Sequence, residues 1–480
     1  MDGARWLHAL APRPQRETPG VKAMDLPRET ALRILTDIED RQVQLELTLD
    51  RLEGGPLDER DRRFIRQLVY GCLTWRSRLD WIAQAFSKRP INRVDSVAKQ
   101  ALRMGVYQLL WLDRVPPRAA VHSSVELANK LGHRGLGAFV NAVLRRVAED
   151  GDGVAYPERS TDPIRYLSVY YSHPSWMVER WLSRWGSERT EALLHANNQQ
   201  PTTYVRRNTL EHAGPLERDS PTASLEAVGP LADSYELDDP SSVFDSAAFR
   251  SGQLFVQDVN AGLAATLLHP QPGDIVLDVC SAPGGKMAQM AMLMGGQGRI
   301  VACDRSSTRL RRVGENTARL GLPGITRLVE DARKPSIAAP PTGWRRGEAT
   351  SGVNQQTDGF DRVLVDAPCS STGVLRRRPD ARWRSSGPQA IFDQADTQFE
   401  ILCSAFVRTR PGGIVVYSTC TLEAEENERL VERFLEITPG AQVERADQFF
   451  TPSDWCDRYV QTLPGRETGD GCFAARIRKE

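Results

Sequence analysis

No stretch of this 480-residue chain approaches the ~18–20 consecutive apolar residues that a membrane-crossing helix needs. The opening MDGARWLHALAPRPQRETPG has a short apolar patch but no long signal-peptide core, and residues 1–23 read as a disordered leader. None of the eight cysteines (72, 280, 303, 369, 403, 420, 456 and 472) forms a CxxC pair, and the seven histidines show no metal-ligand spacing. No metal is expected, and reduced thiols in the cytoplasm are the natural reading. A GxGxxG turn is missing too, which counts against a nicotinamide oxidoreductase. Net charge is zero, so the whole chain does not advertise a polyanionic partner. Its distribution is uneven, however. Residues 1–150 carry 25 Lys and Arg against 19 Asp and Glu, and the remainder carries 37 against 43. A basic N-terminal part is a hint of nucleic acid that chance asymmetry would equally produce.

What is present is a globular composition, 40% apolar and 26% charged, in a chain long enough for about two to four domains. From Asp25 to Val147 apolar residues recur at i, i+3 and i+4 with no strand-like alternation, which predicts an all-α unit. Asp58 is placed to cap a helix carrying Phe64, Ile65, Leu68 and Val69 and ending at Gly71, and further helices are expected at 79–86, 94–112, 119–131 and 136–147. The acidic, Gly-containing stretch 149–162 reads as a linker. A helix over 174–197 carries Trp176, Trp181 and Trp185, read as one packing face rather than base-stacking residues. Residues 201–250 look like a small α+β unit. From Asp274 on, short β-branched runs at 275–279, 299–303, 325–329, 362–365 and 414–417 alternate with helical patterns, the signature of a doubly wound, mostly parallel sheet. Residues 335–358, polar and rich in Pro and Gly, read as a flexible insertion.

Ligands of such sheets bind at the carboxyl ends of the strands, and the chemistry-bearing residues fall there. The first strand ends in Asp278-Val-Cys280-Ser281-Ala282-Pro283-Gly284-Gly285-Lys286, just before a helix. Glycines there let a ligand approach backbone, and a helix start offers free N–H groups, although a ligand-free turn would look alike. The second strand ends in Asp304, suited to ribose hydroxyls, and the third in Glu330-Asp331, suited to an adenine amino group. Each acid alone would serve equally as a cap; three successive strand ends point to a nucleoside pocket. The fourth strand ends in Asp366-Ala-Pro-Cys369-Ser-Ser-Thr-Gly373 and the fifth in Ser-Thr-Cys420-Thr. One cysteine there reads as packing; two beside a nucleoside pocket do not. Arg376, Arg377, Arg378, Arg382 and Arg384, with Trp383 among them, follow the Cys369 loop and suit phosphate contact and stacking, or a solvated basic face.

These motifs together resemble the NOL1/NOP2/Sun family of RNA cytosine-C5 methyltransferases. The resemblance rests on the Ser-Ala-Pro-Gly-Gly-Lys turn, Asp-Ala-Pro-Cys-Ser-Ser-Thr-Gly, Ser-Thr-Cys, Phe249-Arg-Ser-Gly252-Gln-Leu-Phe-Val256-Gln257-Asp258 and Thr468-Gly469-Asp470-Gly471. Gly105-Val-Tyr107-Gln108 and Phe139-Val-Asn141-Ala-Val-Leu-Arg145 are similar to a NusB-like RNA-binding domain, a pairing that points to the bacterial Sun/RsmB type acting on 16S ribosomal RNA. The resemblance implies a multidomain chain: a NusB-like helical domain over 24–149, linker helices and a small α+β subdomain over 150–250, and a Rossmann-like class I methyltransferase domain over 251–480. Departures are Arg378 where relatives carry His, no proline before the acidic pair Glu425-Glu426, and the long 335–358 insertion.

The resemblance implies S-adenosylmethionine as cofactor, held by 280–286 with Asp304, Asp331 and Asp366. It implies Cys420 as nucleophile, adding to carbon 6 of cytosine so that carbon 5 can take a methyl group, and Cys369 as the group that releases the adduct, as a base or through a water. Asp366, if protonated, would support the ring at N3. Lys286 would favour the thiolate, contact the cofactor carboxylate, or pair with Asp366. The expected partner is RNA, with no membrane, and the expected state a cytoplasmic monomer. The alternatives are a tRNA methyltransferase, a catalytically silent RNA-binding assembly factor, and an amino-group methyltransferase, which would usually carry an aromatic residue at position 369.

Overall fold

The computed structural model describes residues 25–49, 52, 55, 57–210, 226–237, 241–340, 359–384, 387–451 and 453–480. The expected leader and most of the expected insertion lie outside the described residues. The chain divides into two compact units, Met1–Val154 and Ala155–Glu480. Among the described residues no helix is long and apolar enough to cross a membrane.

The first unit is built of helices α1 (Leu26–Arg41), α2 (Leu45–Leu49), α3 (Glu59–Thr74), α4 (Arg76–Ala85), α5 (Ser96–Trp111), α6 (Pro117–Leu131) and α7 (Leu136–Asp150). Aspartates satisfy the first free N–H groups of three of them: Asp25 caps α1, Asp58 caps α3 through Asp61 N at 2.7 Å, and Asp95 caps α5 through Val97 N at 2.9 Å. Helix α5 is the central element, with Ala98, Ala101, Leu102, Met104, Gly105 and Val106 all buried. Gly71 does not end α3, which continues to Thr74. The glycine serves packing instead, since a Cβ there would sit 2.0 Å from the Tyr107 ring of α5.

The second unit opens with α8 (Pro163–Tyr170) and α9 (Ser175–Ala196). Helix α9 is two helices meeting at a kink, because Gly186 takes φ 76°, ψ −179°. Trp181 is buried, with Trp176 and Trp185 against the same cluster, so the tryptophans pack one face as expected. A small antiparallel sheet follows in the order β2 (Ser234–Leu237), β1 (Thr203–Arg207), β3 (Leu254–Val256), with α10 (Ser241–Phe244) and α11 (Ala247–Arg250) beside it in sequence.

The large sheet contains β4 (Ile275–Asp278), β5 (Arg299–Asp304), β6 (Ile325–Val329), β7 (Phe360–Asp366), β8 (Thr409–Thr419), β9 (Ala441–Glu444), β10 (Val460–Thr462) and β11 (Cys472–Lys479). Its order is β10-β11-β8-β7-β4-β5-β6, with β9 also paired to β11. The five strands expected from the sequence pair in parallel, and β9, β10 and β11 add an antiparallel flank. Helices α12 (Leu263–Leu268), α13 (Gly285–Leu293), α14 (Ser307–Leu320), α15 (Ala381–Arg384), α16 (Gln389–Arg408) and α17 (Glu428–Ile437) complete the unit. The period-2 geometry of strands sorts alternate residues to opposite faces. Val276, Ile300, Leu364 and Val416 join a core with α12, α13 and α14, while Leu277, Val301, Val363 and Val415 join another with α16 and α17. Strand β4 has β5 on one side and β7 on the other, so the chain reverses its winding there and a crevice opens at the carboxyl ends of β4 and β7.

Candidate active site

The turn after β4 puts two groups into that crevice. Asp278, 1% exposed, has the Ser281 hydroxyl and the Cys280 N–H near its carboxylate, neither in full hydrogen-bond geometry. Burial, and next the charge of Asp366, push its carboxyl up to about 7. One turn on, Gly284 (φ 104°) opens α13, and Lys286 on its first turn reaches Asp366 at the end of β7, Nζ to Oδ2 2.7 Å. Burial opposes the ammonium charge, but the attraction and hydrogen bond of Asp366 outweigh it and hold Lys286 above its ordinary value. Of the roles open to Lys286, the pairing with Asp366 is formed here.

The acids after β5 and β6 differ in how free they are. Asp304 is buried; it accepts from Ser306 N at 2.9 Å and lies 3.5 Å from Arg309, which also donates to Ala282 O at 2.8 Å. Arg309 thereby ties this strand end to the glycine-rich turn. Asp331 is half-buried, and a fork from Arg333 holds its carboxyl down at about 2. Glu330 corrects the expectation made for it: it is buried, accepts from Arg408 at 2.7 Å and from Ser336 N at 3.0 Å, and so is not available to an adenine.

Cys369 and Cys420 come together, Sγ to Sγ 3.3 Å. Their loops leave the adjacent parallel strands β7 and β8 and touch backbone to backbone: Gly373 N donates to Cys420 O at 3.0 Å, and Gly471 N to Gly373 O at 2.8 Å. A Cβ on Gly373 would lie 2.9 Å from both Cys420 O and Gly471 O, so that contact requires glycine. The two thiols are unequal. The hydrogen bond from Cys369 draws the Cys420 thiol below its ordinary value, opposed by burial and Asp366 and aided by Lys286 and Arg378. The same bond, with burial and the charge of Glu426, raises Cys369. These directions favour ionisation of Cys420 over Cys369.

The arginines that follow the Cys369 loop are mostly internal braces, which overturns their reading as one basic RNA face. Arg382 is 0% exposed and donates to Asn197 O at 2.6 Å, Asn198 Oδ1 at 2.7 Å and Ser172 O at 3.2 Å; burial pulls its guanidinium down to about 9. Arg376 and Arg377 grip Asp470, and Arg377 also reaches Asp258 at 2.9 Å and Thr202 O at 2.8 Å. Arg384 sits 3.0 Å from Asp380. Arg378 is the member whose charge reaches Cys420. Replacing Arg382 by Met should cost on the order of 3 kcal/mol of stability in urea unfolding, because acceptors left without a donor cost ~1–3 kcal/mol each. Unchanged stability with weakened RNA affinity would restore the phosphate-contact reading.

Two features escaped the sequence reading. Glu426 accepts from residues in both cysteine loops, and Cys472 lies buried where Lys286, Asp366 and Cys420 all act on its thiol. The Glu425-Glu426-Asn427 run was visible as a motif, but nothing in its spacing shows what it touches.

Comparison with known proteins agrees with this geometry. Residues 265–478 match the family model described as 16S rRNA methyltransferase RsmB/F, residues 25–149 the NusB family, and residues 173–229 the RsmF/B-like ferredoxin-like domain. The chain is 34% identical to a probable ribosomal RNA small subunit methyltransferase B of Synechocystis, across 94% of this chain and 99% of that one. It is 31% identical to a probable ribosomal RNA small subunit methyltransferase B of Bacillus subtilis, across 94% and 98%. Among solved structures, PH0851 shares the fold over 96% of this chain and 100% of its own, with TM-score 0.74 and 23% identity. NSun6 from Pyrococcus horikoshii, solved with SFG, does so over 64% and 98%, with TM-score 0.51 and 21% identity. With thiols, turn and both flanking domains in agreement, the chain belongs to the ribosomal RNA small subunit methyltransferase B family, a Sun/RsmB-type rRNA methyltransferase with a NusB-family N-terminal domain.

Proposed function

We propose that this protein uses S-adenosylmethionine to form 5-methylcytosine in 16S ribosomal RNA through a covalent adduct between Cys420 and carbon 6 of the base. The observation that carries the proposal is the pair of thiols 3.3 Å apart beside the Lys286–Asp366 pair. Rossmann-like methyltransferases of other chemistry have no use for two sulfurs there.

The residues present fit the cofactor. Both Asp278 oxygens are buried with no donor in full hydrogen-bond geometry, beside the glycine-rich turn 280–285 and the start of α13, an arrangement suited to the cationic amino-acid end of the ligand, with Asp304 and Asp331 at the next strand ends for its nucleoside. SFG, an analogue of this cofactor, accompanies the NSun6 relative of the same fold. When bound, S-adenosylmethionine supplies an electrophilic methyl group. The chain's own residues supply the rest. Cys420 as thiolate attacks carbon 6 and converts the ring to an enamine whose carbon 5 is nucleophilic. Lys286 and Asp366, joined by their hydrogen bond, would support the pyrimidine ring at N3 as charge develops there. Cys369 then serves the loss of the carbon 5 proton that frees Cys420. The target base must be out of its stack to reach sulfurs at the foot of a loop.

The test incubates the protein with tritiated S-adenosylmethionine and either unmodified 16S RNA or bulk tRNA. Label in 16S RNA that maps to 5-methylcytosine is the expected result. Label only in tRNA would keep the chemistry and replace the substrate. No label in either, with no cofactor binding, would leave a silent RNA-binding factor.

A further inference from the structure

We propose that Glu426 is a positioning residue for the thiol pair: one buried carboxylate clamps the Cys369 loop to the Cys420 loop and sets its charge beside them. The residue that follows each cysteine binds the same carboxylate. Ser370 N donates to Oε1 at 2.9 Å and Ser370 Oγ donates to Oε2; Thr421 Oγ1 donates to Oε2 at 2.8 Å. Gln398 Nε2 of α16 gives Oε1 a further donor at 2.9 Å. Glu426 is 0% exposed, and burying a carboxylate is costly unless donors saturate it. Burial raises the Glu426 carboxyl above its ordinary value, and the hydrogen bonds from Ser370, Thr421 and Gln398 work against that rise in favour of the ionised form.

The surrounding turn is fixed as well. Tyr417 OH donates to Glu426 O at 2.6 Å, Thr419 Oγ1 donates to Asn427 Oδ1 at 2.6 Å, and Asn427 Nδ2 donates to Thr421 O at 2.9 Å. Glu426 therefore sits between two strand ends on a turn that β8 itself holds. Its hydrogen bonds set the spacing of the loops, and hence of the two sulfurs.

Its charge has a second effect, because the two thiols face different groups. Cys420 faces Lys286 and Arg378 as cations and Asp366 as an anion, whereas Cys369 faces Glu426 and the Cys420 sulfur. In a low-dielectric interior a nearby anion disfavours a second one. The charge of Glu426 therefore adds to the groups that disfavour a thiolate at Cys369 while Cys420 is free. The inference deepens the proposed function and rests on its assignment of Cys420 as the attacking sulfur.

The test needs neither RNA nor cofactor. Reduced full-length protein is alkylated briefly with iodoacetamide, and modification at Cys420, Cys369 and the half-buried Cys403 is read by mass spectrometry. In the wild type Cys420 should react ahead of Cys369. Glu426→Gln keeps the side chain's shape and most of its hydrogen bonds but removes the charge, and should cut the Cys420-to-Cys369 preference by about tenfold, one unit of relative acidity. Cys403 reactivity should not change. Glu426→Ala also removes the clamp; if it fails to fold, the Gln variant still carries the test. Methyl transfer by Glu426→Gln should lose kcat with KM for RNA kept. An unchanged alkylation ratio in Glu426→Gln overturns the proposal. A wild-type protein that shows the alkylation bias yet labels no RNA sinks the proposed function and leaves the clamp standing.

Discussion

Replacing Cys420 by Ala is expected to lower methyl transfer to RNA by at least about four orders of magnitude, or ~5.5 kcal/mol of transition-state stabilisation. Carbon 5 of cytosine is a poor nucleophile without a sulfur on carbon 6, and none of the remaining groups can take over. Cys369 is the nearest thiol, at 3.3 Å, but it stands at a different strand end, and with the Cys420 sulfur removed its burial and the charge of Glu426 still oppose ionisation. Cys472 is buried, and burial pushes its thiol up to about 12. Cofactor affinity should stay within a few-fold, since the Cys420 sulfur touches Cys369 and, at 3.9 Å, Ser371 Oγ, and neither belongs to the turn 280–286. Tritium incorporation into 16S RNA and equilibrium dialysis of S-adenosylmethionine measure the two quantities separately. Retained incorporation would remove Cys420 as nucleophile. Loss of both would mean that the substitution disturbed the pocket, which Cys420→Ser would check.

The parts of the site that were legible in the sequence are those written within one strand and the turn after it. The glycine-rich turn, Asp366 with Cys369, and Cys420 each follow a β-branched run directly, and parallel strands deliver their carboxyl ends to one edge. Partnerships across the fold left no local trace. Arg376 and Arg377 form a run with Arg378 that looks like a basic surface, but their carboxylate partners Asp258 and Asp470 lie roughly a hundred positions away, and such pairing turns a charge cluster into bracing. Arg382 on a short helix gave no sign that three acceptors from the α8–α9 region would enclose it. Gly71 and Gly186 show the same limit from opposite sides. A mid-helix glycine can mark a close approach, as Gly71 does under Tyr107, or a break, as Gly186 does; the residue type alone does not say which. The antiparallel strands β9, β10 and β11 were missed because two are only three or four residues long, and the third, Cys-Phe-Ala-Ala-Arg-Ile-Arg-Lys, carries alanines and arginines in place of a β-branched run.

Replacing Cys369 by Ala is expected to trap the enzyme on its RNA. Once carbon 5 carries the new methyl group, its hydrogen must leave as a proton before the carbon–sulfur bond to Cys420 can break. The base for that step has to be absent at the start, when it would compete with Cys420, and present later. Cys369 meets both conditions. The leading cause of its raised pKa is the hydrogen bond to the Cys420 sulfur, followed by burial and the charge on that sulfur. Forming the adduct turns Cys420 into a neutral thioether, which removes the charge and weakens the acceptor. The Cys369 thiol then becomes a stronger acid and gives its proton to solvent, and its thiolate, acting directly or through a water, can take the carbon 5 proton. Elimination returns the electron pair to Cys420. In Cys369→Ala, Cys420 loses the hydrogen bond that lowers it but retains Lys286 and Arg378, so the first methyl transfer should slow by no more than about tenfold, while turnover stops. Denaturing gels should show a protein–RNA band that carries tritium, survives heating in detergent, and approaches one RNA per protein. Cys369→Ala combined with Cys420→Ala should show no such band. Lost turnover without an adduct would mean that Cys369 acts before or during attack, and its role in release would have to be abandoned.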